Sequence, residues 1–193
     1  MLSRFKNNMK TVLLLLLSII SLNLVAQREK SSVGTWQFHT PYHTGQSVAV
    51  AGTKVYCATE TGLFYYNKDD NSTSTLTKQD GLTDIQINTI RYYQPLDMLV
   101  IAYKNANIDI IQGNTITNIN DIFRKQIIGE KTINHIMFHN DFAYFSCSFG
   151  VVVLDLNKLE VRESYITIGD TTVGLELEAF QSVIFNNSIY VAS

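Results

Sequence analysis

Residues 55–67 read VYCATETGLFYYN, residues 99–111 read LVIAYKNANIDII, and residues 143–155 read AYFSCSFGVVVLD. Each is a short apolar run, a small or polar break, and a second apolar run. With Val55, Leu99 and Ala143 in first place, the phrase recurs at an interval of 44 residues. The eighth positions are then Gly62, Ala106 and Gly150, small every time. A further opening, IYVAS, starts at Ile189, 46 residues beyond Ala143. A period of roughly 40 to 50 residues marks a repeat architecture, in which each unit buries its apolar face against the next.

The third unit parses into four short strands: INHIMF (133–138), FAYFSC (142–147), GVVVLD (150–155) and EVRESYIT (160–167). The first joint, HND, recurs as Ala51-Gly52-Thr53 and as Asn186-Asn187-Ser188. Gly and Asn tolerate the positive φ that tight hairpin turns need. Gly62 and Gly150 stand where the second strand hands over to the third, a place where a side chain would obstruct a close turn. The strands are rich in Val, Ile, Tyr and Phe, and the second and third are nearly continuous apolar runs, as befits strands covered on both faces. Four antiparallel strands per unit of this length is the dimension of a β-propeller blade. The expected fold is all-β, an incomplete propeller of about three four-stranded blades and the start of a fourth. Its units fall at approximately 47–84, 85–131, 132–178 and 179–193, within a domain spanning 27–193. Three units and an opening do not close a propeller, so the reading expects an N-terminal fragment whose blades continue beyond Ser193.

Two departures from the repeat are visible. The second unit has Tyr92-Tyr93-Gln94-Pro95-Leu96-Asp97 in place of a tight turn, and Pro95 belongs in a loop. The connection NDIFRKQIIGEKT (120–132) is long enough for a turn of helix, and its Arg124, Lys125 and Lys131 form a small basic spot.

The N-terminus carries Arg4, Lys6 and Lys10, then the apolar run VLLLLLSIISL, then Ala26 before Gln27. That order describes a secretory signal peptide over residues 1–26. Ser18, Ser21 and Asn23 interrupt a run already short of the roughly 20 apolar residues a membrane span requires. Met9 offers a second start, and no Cys stands at the cleavage region for lipoprotein anchoring. Without the leader, 12 basic side chains face 17 acidic ones. This acidic body has no electrostatic footprint for nucleic acid. With 46% hydrophobic and 17% charged residues, and only 2 Pro and 10 Gly, the rest is ordinary globular chain.

There is no GxSxG, HExxH or P-loop signature. His39 and His43, and His135 and His139, have a spacing that gathers ligands on a helix but not on a strand. Alternation puts His135, Met137 and His139 on one strand face, too far apart for one metal. NKDDNS (67–72) lacks the Asp spacing, Gly and Glu of a calcium loop and reads as a polar turn. Cys57 and Cys147 occupy the same kind of strand in different units, so two buried, unpaired thiols are expected. Asp109, between Ile108 and Ile110, is either a buried carboxylate that fixes a loop or an edge residue. No catalytic, cofactor-binding or metal site is assigned, a ligand site is not identified, and a non-enzyme without cofactor is expected.

The stretch KQDGLTDIQINTIRYY, together with LVIAYKNANIDII, TITNINDI and AYFSCSFGVVVLDLNKLEVRESYITIG, closely resembles the first propeller of PorZ-like proteins of the Bacteroidetes type IX secretion system. DGLTD, AYKNANIDII and FGVVVLDL are the most specific parts, and the likeness runs from about Gly34 onward. Cys147-Ser148 depart from the small polar residues expected before FGVVVLDL. The resemblance implies two propellers and a C-terminal sorting domain. It also implies a non-catalytic place from periplasm to outer-membrane cell surface, in the attachment complex beside the sortase, which joins cargo to anionic lipopolysaccharide. Any lipopolysaccharide contact is expected through domains absent from these residues. The competing class is the periplasmic propeller sensor of hybrid two-component regulators, whose GL turns Asp80-Gly81-Leu82 and Thr61-Gly62-Leu63 also fit. Those sensors usually repeat a Trp in the second strand, whereas Trp36 is the one Trp here, which favours the secretion reading. A propeller hydrolase or quinone enzyme lacks its residues.

Overall fold

A computed structural model describes residues 44–127, 129–166 and 178–193. The expected leader, Trp36, His39 and His43 lie outside the described residues, as do residues 167–177 of the expected third unit. The first sheet runs β1 (Gly45–Ala51), β2 (Lys54–Thr59), β3 (Leu63–Asn67) and β4 (Ser72–Leu76). The second is β5 (Ile87–Tyr93), β6 (Met98–Tyr103), β7 (Ile108–Gln112) and β8 (Thr115–Ile119). A single helical turn, α1 (Asp121–Arg124), leads to the third: β9 (Ile133–His139), β10 (Phe142–Cys147), β11 (Gly150–Asp155) and β12 (Glu160–Tyr165). A hairpin of β13 (Gln181–Phe185) and β14 (Ser188–Ala192) opens the next. Each sheet is an antiparallel meander in chain order, and the first strands of successive sheets lie side by side, β1 by β5, β5 by β9 and β9 by β13. The described residues form a stretch of β-propeller that does not close on itself. The first sheet begins two residues before the expected unit boundary at 47.

The second strands start at Lys54, Met98 and Phe142, so the 44-residue interval read from the sequence is the interval of the fold. Every residue of β6 is buried, because alternate side chains serve opposite neighbours. Leu99 and Ile101 pack toward the first blade with Ala58, Leu63 and Ile90. Val100 and Ala102 pack toward the third with Ile136, Phe145 and Leu154. Burying such side chains stabilises by about 1.5–3 kcal/mol each, which is why the run shows no polar alternation. The outermost β4 and β12 have solvent on one side and alternate or turn polar accordingly.

The turns follow the residues that permit them. Asn140-Asp141 (φ 48° and 62°) and Asn186-Asn187 (φ 47° and 59°) adopt the doubly left-handed turn that matches strand twist. In the second blade Pro95 sits in a 3-10 turn, Gln94–Leu96, closed by Asp97 at φ 51°. The longer hairpin and the turn of helix after residue 120 are both present.

A further element of the repeat escapes the apolar pattern. The first strand of each four-stranded sheet carries one extra residue opposite its partner: Gln46 in β1, Asn88 in β5 and Asn134 in β9. Such a bulge re-aims the side chain. Asn88 Nδ2 donates to the Ile133 carbonyl of the next blade at 2.8 Å, and Asn134 Nδ2 donates to the Ala179 carbonyl at 3.0 Å. Neighbouring blades are thus joined by a recurring amide bridge as well as by apolar contact. Its sequence signal is Ile-Asn-x-Ile at 87–90 and again at 133–136.

Candidate functional site

The expected handover positions are three solutions to one close turn. Gly150 has φ 130°, and a Cβ there would lie 2.1 Å from the Tyr165 carbonyl oxygen. Gly62 has no left-handed φ, but a Cβ would lie 2.8 Å from the Leu76 oxygen. Ala106 is buried with φ 65°, and the pairing shows why an Ala is present. Gly62 accepts from the Thr59 amide, whereas in the second blade Asn107 accepts from the Tyr103 amide. The second turn is one residue longer, so Asn107 takes the register of Gly62 and Gly150, and Ala106 is the added residue.

Asp109 is fully buried and fixes a loop, which resolves the alternative left open by the sequence. Its carboxylate accepts from the Thr83 amide (2.8 Å), Thr83 Oγ1 (2.7 Å), Tyr103 Oη (2.6 Å) and Asn118 Nδ2 (3.0 Å). Asn107 Nδ2 also donates to Thr83 Oγ1, at 3.1 Å. Burial, then the bond to Asp109, raises the Tyr103 phenol far above its ordinary range. DGLTD supplies the other half of this clamp. Asp80 accepts from the Thr77 amide and hydroxyl, both at 2.8 Å. Gly81 turns the chain at φ 112°, Leu82 enters the core, Thr83 meets Asp109, and Asp84 accepts from Asn105 Nδ2 at 2.6 Å. Two of the three segments most specific to the family resemblance, DGLTD and AYKNANIDII, are therefore the two sides of one polar network pinning the first inter-blade connection to the second blade. Fully satisfied, such a network specifies one arrangement; each deletion leaves buried donors unpaired.

The other sequence candidates are dispersed. His135 Nε2 and Arg91 Nη1 are 3.2 Å apart, while Nδ1 of the same ring is buried without a partner. Burial, followed by the Arg91 charge, holds the His135 pKa below its ordinary value. His139 Nε2 instead lies 2.9 Å from Asn140 Nδ2. No metal-ligating cluster forms among the described residues. Both cysteines are free, Cys147 buried but Cys57 only half-buried, which corrects the expectation for that one. NKDDNS is a polar turn in which Asp70 accepts from the Ser72 amide and hydroxyl, and these bonds lower the Asp70 pKa. In the basic spot, Lys131 Nζ donates to the Phe123 carbonyl at 2.9 Å at the end of α1.

One concave feature, about 370 Å³, lies along β1 and β5, lined by Val48, Val50 and Arg91 among others; two more lie between blades, beside the first hairpin turns. A cavity of about 260 Å³ lies between the first and second blades, lined by Tyr56, Tyr92, Leu99, Ile111, Lys54 and Asp97 among others. Tyr92 Oη donates to Asp97 Oδ1 at 2.8 Å, and Tyr56 stands against Tyr65 with centroids 5.1 Å apart. Burial, then Tyr65 and the Asp97 charge, raises the Tyr56 pKa. The same position between the third blade and the final hairpin opens to about 210 Å³, lined by His139, Phe142, Tyr144, Arg162 and Asn187 among others. Between the second and third blades the position is filled. There Tyr93 packs on Phe138 with centroids 4.8 Å apart and donates its hydroxyl to Asp141 Oδ1 at 2.6 Å. A lining that combines aromatic rings, aliphatic side chains and directed polar groups suits recognition of a side chain or small ligand.

Meanders of four antiparallel strands, repeated so that their first strands adjoin, define a β-propeller repeat protein. No helix among the described residues is long and apolar enough to cross a membrane. The sequence profile of the PorZ N-terminal β-propeller domain, of the type IX secretion system, matches residues 55–193, and the chain belongs to that family. Among solved structures it resembles PorZ of Porphyromonas gingivalis, described as an essential bacterial surface component of the type IX secretion system. Identity is 25% and the TM-score 0.64, over 68% of this chain and 18% of that one. The extracellular domain of a putative one-component system from B. thetaiotaomicron gives a TM-score of 0.61 at 10% identity, over 82% of this chain and 22% of that one. The computationally designed protein Ika4 gives 0.57 at 10% identity, over 81% and 89%. These last two show the fold alone. The chain spans under a fifth of the PorZ structure it matches, and no curated protein matches it.

Proposed function

We propose that this chain is a non-catalytic surface component of the type IX secretion system, exported by its leader and acting between periplasm and outer-membrane surface. The family match over residues 55–193 carries this reading, and the clamp built from DGLTD and AYKNANIDII supports it by giving the family's segments a shared structural task. In this role the protein assists a sortase-like partner in removing sorting signals and attaching cargo to anionic lipopolysaccharide. The propeller then serves as a rigid platform that presents partner surfaces, with no cofactor. Extracellular regulator domains share the architecture, but at 10% identity that likeness argues for fold and not for signalling.

The test is a deletion strain of the source bacterium. Cargo is expected to reach the periplasm or medium with its sorting signal uncleaved and without lipopolysaccharide attached, and the intact gene in trans restores both. Normal processing and attachment in the deletion strain, together with altered transcription of a single locus, would hand the case to the regulator class.

A further inference from the structure

The repeat itself states what belongs in the cavity between the first two blades. The last residue of each first strand pairs with the first residue of the second: Ala51 with Lys54, Tyr93 with Met98, His139 with Phe142. The residue just before the second strand of the following blade is Asp97, Asp141 or Asn187, each at a left-handed φ. In the second interface these two positions meet: the Tyr93 phenol fills the cleft, lies on Phe138 and donates to Asp141. In the first interface the corresponding pair is Ala51 and Asp97. The carboxylate is in place, Tyr92 stands where Phe138 does, and the side chain that would complete the set ends at a methyl group. The resulting space, about 260 Å³, exceeds the roughly 150 Å³ that suffices for a benzene ring.

We propose that the cleft between the first and second blades is a recognition pocket for a tyrosine side chain of a partner polypeptide, which stacks on Tyr92 and donates its hydroxyl to Asp97. Three features favour that occupant. Among the described residues Tyr92 is the side chain bonded to the Asp97 carboxylate, through Oδ1, and Oδ2 remains to accept a second hydroxyl. Leu99 and Ile111, which also line the cavity, are apolar and suit a ring. At the mouth, Gly52 and Gly113 line the cavity, and a Cβ on either would meet nothing within 4 Å, so a backbone can pass close overhead. Lys54, the cationic residue of the lining, is engaged over the Tyr65 ring, 5.0 Å from its centroid. This inference is independent of the secretion role, since it rests on the comparison of two interfaces within one chain.

The intact protein, methyl-labelled at Leu and Ile, is titrated with N-acetyl-tyrosinamide and with N-acetyl-phenylalaninamide. Saturable shifts at Leu99 and Ile111 are expected, with the tyrosine probe at least about tenfold tighter because only it satisfies the charged acceptor. Asp97→Asn is expected to reduce that preference to about threefold or less. Ala51→Tyr supplies the ring in cis and is expected to abolish binding of both probes while the melting midpoint holds or rises. Equal affinity for the two probes, absence of saturable shifts, or undiminished binding in a folded Ala51→Tyr protein would each overturn the proposal. Binding of p-cresol without binding of N-acetyl-tyrosinamide would overturn the polypeptide occupant.

Discussion

Substitution of Gly150 by Ala tests the geometry of the third blade at its tightest point. Two costs act together. A Cβ at φ 130° places an L-residue in a region that costs about 1–3 kcal/mol. The same Cβ would lie 2.1 Å from the Tyr165 carbonyl oxygen, a contact only backbone movement relieves. That movement breaks the Val151–Tyr165 pairing of β11 with β12, and each hydrogen bond lost costs about 1 kcal/mol. The sum is about 3–5 kcal/mol, a large part of the 5–15 kcal/mol typical of a folded domain. Gly62→Ala carries the contact (2.8 Å to Leu76 oxygen) without the left-handed φ, and is expected to cost about 1–2 kcal/mol. Ala106→Gly relieves a left-handed alanine at the expense of chain entropy, and is expected to fall within about 1 kcal/mol of zero. Urea denaturation followed by circular dichroism ranks the three. A Gly150→Ala protein within 1 kcal/mol of the parent, or Gly62→Ala the worse of the two, would refute the reasoning.

Three other outcomes follow from the same structure. Asp109→Asn turns an acceptor toward the Thr83 and Tyr103 donors into a partial donor and is expected to cost about 2–4 kcal/mol; amide exchange of residues 82–86 should accelerate, and unchanged protection there contradicts the clamp. Because the folded pKa of His135 lies below its ordinary 6.5, the unfolded chain binds the proton more readily, so stability is constant above that value and falls as pH drops from 6.5 toward the folded pKa. His135→Gln should remove this part of the acid slope in urea midpoints measured at pH 8 and 5.5, and identical slopes would count against it. Burial raises both thiol pKa values, that of buried Cys147 strongly and that of half-buried Cys57 less; a thiol reagent should label Cys57 in the native protein and Cys147 only on unfolding, and equal rates would exclude this difference in burial.

The blades were legible because their signal is local. Apolar runs of five or six residues, turn residues between them and a fixed interval specify strand, hairpin and period without reference to any distant residue. The boundaries of β10 and β11, at Phe142–Cys147 and Gly150–Asp155, coincide with those read from residue types alone. The extra residue at Ala106 was hidden, since a one-residue insertion in a turn leaves the apolar runs intact and changes only which residue faces which. Asp109 was ambiguous for a related reason. A carboxylate between two isoleucines is buried with partners or exposed at an edge, and its partners Thr83 and Asn118 belong to other elements.

What the sequence determined by itself is the repeating strand and its period, because backbone preference and side-chain alternation act between near neighbours. What only the tertiary structure decided is how one blade meets the next: the reach of Asn88 to Ile133, the insertion of Tyr93 beside Asp141, and the space left where Ala51 faces Asp97. These pairs lie some 45 residues apart along the chain, and their contact depends on the rotation between packed sheets. Alanine at position 51 says nothing in the linear chain, and becomes a pocket only when the neighbouring interface shows the ring that is missing.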